Sequence, residues 1–169
     1  MPSADRRRTA IYSRDLGLDL APGRERELFR WLLACLLFGK PIQQAVARRA
    51  WGELLAARLD TPAAILDAGW DRLVEVLDRG HYVRFDFSTA SKLLEVSRAL
   101  IERYGTVSNL LRQSASRADL GRRLQRFKGV GPTTARIFLR DVARAWRPRA
   151  AAGSRAARRG RGSAQASAR

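Results

Sequence analysis

The chain has 169 residues, 46% of them hydrophobic, and its 33 Lys and Arg against 16 Asp and Glu give a formal net charge of +17. That length suits one domain and that apolar fraction suits a core, which excludes wholesale disorder. The single cysteine, Cys35, excludes an internal disulfide and a cysteine-ligated cluster, and the charge selects a polyanion as partner.

In chain order, residues 1–20 read as a polar N-terminal arm of low order. A helical domain over 21–146 follows, and 147–169 reads as a disordered tail rich in Arg, Ala and Gly. The first helix starts near Arg24. Its apolar residues recur at three-and-four spacing (Leu28, Trp31, Leu32, Cys35, Leu36), with Leu33, Ala34, Leu37 and Phe38 filling the other faces. A helix apolar all round is buried all round, so this is the expected core helix. Gly39 stops it, and Pro41 suits the first turn of a second helix that runs to about Arg58. Thr61-Pro62 reads as an N-cap with proline at the first helical position, and Gly69 ends that short helix. Another short helix spans Trp70 to Leu77.

Residues His81–Phe87 break the helical pattern and read as an ordered loop. Ser88 is expected to cap a long helix that ends at Tyr104-Gly105. A short helix follows around Asn109–Gln113. Ser116 and Asp119 have capping-box spacing for a helix that runs to about Phe127. Pro132 then opens a last helix to Trp146. The fold class is therefore all-α, a helical barrel or bundle of six to eight helices.

The basic charge is uneven. Residues 147–169 hold seven Arg and no acid, whereas 112–144 hold nine bases and two acids. Only Lys40, Lys92 and Lys128 are lysines. The longest apolar run, Trp31 to Phe38, falls well below the roughly 18 residues of a spanning helix, so no membrane partner is expected. Leu32 to Cys35 is superficially like a lipoprotein cleavage site, but the charged stretch before it excludes a signal segment. A cytoplasmic location is expected, nucleoid-associated if the source is bacterial. No cofactor is expected.

The informative segment is Leu124 to Leu139, a helix-hairpin-helix pattern. Leu124 and Phe127 give the first helix an apolar face. Gly129 and Gly131 permit positive φ in a tight turn, with Val130 plugging the space between the helices. Ala135 is small where the helices cross, and Phe138 and Leu139 anchor the second helix. Backbone N–H groups of Gly129-Val130-Gly131 and of the following helix N-terminus form an expected anion site. Thr133 and Thr134 add hydroxyl donors. Arg122, Arg123, Arg126, Lys128, Arg136, Arg140 and Arg144 surround the turn. The expected ligand is the phosphate backbone of double-stranded DNA, bound without sequence preference and with strong salt dependence.

From Leu28 to Phe138 the chain resembles the helix-hairpin-helix (HhH-GPD) DNA glycosylase superfamily, most closely its endonuclease III-like branch. Leu32 to Cys35 followed by Ile42 to Ala45 is similar to the family's buried helix and its successor. Thr61 to Leu66 is similar to a short third segment. Gly80-His81-Tyr82 and Ser88-Thr89-Ala90 resemble the family's Gly-x-Tyr turn and Ser-x-Ala helix start, with Val83–Phe87 as an insertion. The resemblance implies DNA repair by base excision, on a damaged base flipped from the duplex. The family's catalytic residues do not carry over. Thr133 stands where bifunctional members carry a Schiff-base Lys. No Asp or Glu follows Asp141, so the family's catalytic Asp has no counterpart. The iron–sulfur motif is missing, and the position matching the residue that wedges into the base stack is Leu36.

Three functions stay open at this stage. One is a DNA-binding protein, catalytically silent or a damage sensor. Another is a divergent monofunctional glycosylase, for which Asp86 and Asp141 are the candidate acids and Lys128 and Lys92 the nearby amines. The third is a helical protein that binds a protein partner. Asp86 reads first as an ion-pair partner of Arg84, and His81 as a plain loop residue. Trp31, Trp51, Trp70 and Trp146 read as core residues. Tyr82, Phe85 and Phe87 lie where an aromatic can stack on a base.

Overall fold

A computed structural model describes residues 10–148, apart from the Arg144 side chain. Residues 1–9 of the expected arm and 149–169 of the expected tail lie outside the described residues. Helix α1 (Glu25–Phe38) is the axis of the fold. Its seven consecutive residues from Trp31 to Leu37 are all buried, as its unbroken apolar circumference demands. It packs against α2 (Gln44–Ala56), α4 (Asp86–Arg103), α5 (Val107–Gln113) and α7 (Pro132–Asp141). Helix α3 (Pro62–Arg79) packs on α2 and α4, and α6 (Arg117–Gln125) on α7. Among the described residues there are seven α-helices, three short 3-10 turns and no strand, so the fold is all-α.

Polar side chains tie this core together at its few wet points. The Trp31 indole N–H donates to the Phe138 carbonyl at 3.2 Å, which links α1 to α7. The Tyr82 hydroxyl, fully buried, donates to the Leu37 carbonyl at 2.8 Å. Burial pushes that phenol up to about 12. Burial also pushes the Cys35 thiol well above its usual range, which leaves it unreactive at neutral pH. The Glu25 carboxylate accepts from the Val107 and Ser108 N–H groups at 2.8 Å each, so the first residue of α1 caps α5.

Several local signals act as expected. Thr61 accepts from Ala64 N–H at the start of α3, with Pro62 at its first position. Gly69 sits at φ 76° and breaks α3 into two helical halves. Ser116 accepts from Asp119 N–H. The Asp119 carboxylate accepts from Ala115 N–H, one residue before the cap where a capping box closes.

Other elements differ. Residues 10–20 are not a loose arm: Ser13–Leu16 forms a 3-10 turn, and Leu18 and Leu20 join the core. Helix α2 begins at Gln44, so Pro41 belongs to the preceding turn. Helix α4 begins at Asp86 rather than after Ser88, because a 3-10 turn over Val83–Phe85 runs straight into it. The last α-helix ends at Asp141, and Val142–Arg144 continues as a 3-10 turn. Trp146 lies beyond it, half-buried. Trp70 is exposed rather than in the core, and its indole donates to Ser91 Oγ.

Candidate nucleic-acid interface

Helices α6 and α7 form a helical hairpin joined by residues 126–131. Leu124, Phe127, Val130, Ala135 and Phe138 are all buried along its inner side. Val130 is the plug between the helices that its place between two glycines implies. A methyl group on Gly121 would lie 3.4 Å from a Leu139 methyl, so the two helices approach closely there.

The two glycines do different work. Gly129 takes φ 89°, a conformation that favours glycine. Gly131 is extended, at φ −94° and ψ −176°, so the expected positive φ is absent there. A Cβ at Gly131 would meet no atom within 4 Å, whereas one at Gly129 would meet the aliphatic stem of Lys92 at 2.9–3.3 Å. Gly131 thus leaves the surface open, and Gly129 admits Lys92.

The donors are also redistributed. The Val130 N–H is satisfied inside the turn by the Phe127 carbonyl at 3.0 Å, so it is not an outward donor. The first backbone bond of α7 runs from Ala135 N–H to the Gly131 carbonyl. The N–H groups of Gly131, Thr133 and Thr134 therefore have no acceptor among the described residues, and Pro132 has none to offer. Thr133 is exposed beside them. Thr134 is buried, with its hydroxyl oxygen against Gly39, so that hydroxyl is not a donor at the surface.

The cations around the turn fall into two groups. Arg126 and Arg136 are exposed, and neither side chain has an acid partner among the described residues. Lys128 is 86% exposed, with Glu95 at 3.5 Å. Arg122 and Arg123 are instead engaged by Asp119, and Arg140 donates to the Ile11 carbonyl and lies over the Tyr12 ring. The side chain of Arg144 lies outside the described residues. Thr133 and Arg136 also border a hollow of about 170 Å³ shared with Phe38 and Ile42 at the end of α1.

Neither candidate acid faces this surface freely. Asp141 accepts from the Ser13 N–H at 2.6 Å and the Ser13 hydroxyl at 2.5 Å, which ties the N-terminal 3-10 turn to the end of α7. Asp86 is buried and does not pair with Arg84. One of its oxygens accepts from the Phe87 N–H at 2.6 Å. Asp86 also lies near Asp78, whose carboxyl is held above its usual range by desolvation and then by its interaction with Asp86. Arg84 lies over the Phe85 ring instead. Leu36, at the position matching the family's wedge, is buried inside α1 and cannot enter a base stack.

Of the aromatic candidates, Tyr82 is core and Phe85 half-buried. Phe87 is 60% exposed and stacks obliquely on Trp70 at 5.1 Å. His81 is an exposed turn residue at φ 62°. Sequence reasoning placed Lys92 among the nearby amines but missed Lys40, because no local pattern brings the residue after α1 to the turn. Comparisons with protein-family models, curated proteins and solved structures give no match.

Proposed function

We propose that the protein binds the backbone of double-stranded DNA through the α6–α7 hairpin, without reading sequence and without catalysing a reaction on the base. One observation carries this reading. The N–H groups of Gly131, Thr133 and Thr134 are unpaired at the start of α7, beside the open space at Gly131 and the exposed Thr133, with exposed Arg126, Lys128 and Arg136 in the same hairpin. Oriented amides and a helix dipole favour an anion, and neighbouring arginines bind phosphate bidentately. Phosphate contacts hold a protein on the duplex but carry no base information.

The silent chemistry has its own support. Asp141 is committed to Ser13, Asp86 is buried and accepts from the Phe87 N–H, and Thr133 cannot form a Schiff base. The test has two arms. Duplexes of unrelated sequence are expected to bind with affinities within about twofold of one another at one salt concentration, and a strong preference among them contradicts backbone binding. Duplexes carrying oxidised, alkylated, deaminated and abasic lesions are expected to yield neither scission after alkali nor a borohydride-trapped adduct. Either product establishes an enzyme instead.

A further inference from the structure

We propose that Lys40 and Lys92 form a binding site for a phosphate monoester, and that its ligand is the phosphorylated end of a nucleic-acid strand held by the neighbouring hairpin. The inference rests on the DNA-binding reading and adds to it a ligand class.

The chain's three lysines all gather at this turn, in a sequence whose other thirty bases are Arg. Lys128 lies in the turn itself. Lys92, on α4, lays its stem across Gly129. Lys40 follows Gly39, which packs against Thr134 in the first turn of α7. The Lys40 amine sits 5.3 Å from the centre of the Phe85 ring and close enough to the Lys92 amine for the two charges to interact. Neither amine has a carboxylate within ion-pair distance among the described residues.

Two half-buried ammonium groups so placed repel each other. Burial, and then the Lys40 charge, lower Lys92 to about 8. Nothing in the packing requires this, since an apolar stem would cover Gly129 equally well. A group that touches both amines and carries close to two negative charges relieves the repulsion. A carboxylate or a backbone phosphodiester brings one charge, whereas a phosphate monoester at neutral pH brings about 1.5 to 2. Lysine suits it as a compact point charge with rotatable donors. A strand end whose last phosphodiesters lie on the α7 amides delivers such a group beside them.

The test uses the full chain and one nicked duplex with the nick carrying a 5′-phosphate, a 3′-phosphate or hydroxyls only, read by fluorescence anisotropy. A phosphate at one of the two ends is expected to tighten binding about tenfold over hydroxyls. Joint substitution Lys40→Gln and Lys92→Met, which keeps the stem over Gly129, is expected to bring that ratio to about one. Gly131→Leu is expected to weaken every duplex while keeping the ratio. Equal wild-type affinities for all three nicks overturn the proposal. Competition by inorganic phosphate or AMP without any preference among nicks assigns the pair to a free phosphate and overturns the strand-end ligand. Failure to bind any duplex removes the DNA-binding reading instead. Lysine ammonium NMR with inorganic phosphate then decides the pair: a rise in the Lys92 titration point retains it, and no movement overturns it.

Discussion

Gly131→Leu separates binding from folding at one position. The backbone there is extended, which any residue adopts, and the new Cβ would meet no atom within 4 Å. Leucine is a poorer N-cap than glycine by about 1 kcal/mol, and the smaller entropy of its unfolded chain returns about 0.4–1 kcal/mol. Net stability should therefore change by less than about 1 kcal/mol, a melting shift of no more than about 4 °C for a chain of this size. Binding should change far more. The added bulk stands on the residue that carries the first of the free N–H groups of Gly131, Thr133 and Thr134, and displacing one phosphate bond to such donors costs about 1.5–3 kcal/mol. Affinity for a labelled duplex, read by anisotropy at fixed salt, should fall about 10- to 150-fold. Wild-type affinity in a folded Gly131→Leu protein would refute the assignment of the hairpin as the contact surface.

Gly80→Ala should be strongly destabilising. The added methyl would lie 2.5 Å from Ala50 Cα and 2.7 Å from its nitrogen, so α2 and the end of α3 must separate, at a cost of about 3 kcal/mol by urea unfolding. A loss below about 0.5 kcal/mol would contradict that close approach. Tyr82→Phe should cost about 1–3 kcal/mol, because the Leu37 carbonyl loses its buried partner; an unchanged urea midpoint contradicts the bond. Lys92 titrates near 8 when folded against its usual 10.5, so the unfolded chain holds the extra proton between those values. Its ammonium therefore destabilises the fold below about pH 8, and that penalty fades as pH rises to about 10.5. The stability of wild type relative to Lys92→Met should rise across that window, and a flat difference would show that the amine is not desolvated.

The local signals were legible because they act within a few residues. An unbroken apolar stretch made α1 a core helix. Thr61, Pro62 and Gly69 marked the start and the break of α3, and Leu124, Val130 and Ala135 marked the hairpin. What was not legible depends on distant partners. Asp141 looked like a spare acid until Ser13, 128 residues away, supplied its two donors. Asp86 looked like a partner for the nearby Arg84, but it is buried and accepts from the Phe87 N–H, while Arg84 lies over the Phe85 ring. Gly131 carries the same residue type as Gly129 for another reason: one needs positive φ and room for Lys92, the other open surface. Spacing alone does not distinguish a backbone requirement from a steric one. The polar composition of the arm suggests a loose segment, yet buried Leu18 and Leu20, with the Ser13–Asp141 bonds, hold residues 10–20 on the core.

The most direct test of the central claim is the salt dependence of duplex binding by a chain ending at Trp146, which lacks the seven-Arg tail. Arg126, Lys128 and Arg136 are the exposed cations of the hairpin turn, Lys40 and Lys92 being half-buried beside it. If they neutralise three phosphates, the logarithm of affinity should fall against the logarithm of salt with a slope of about −3. Binding retained with that slope supports the hairpin as the anchor. Loss of all binding on removing the tail would contradict it.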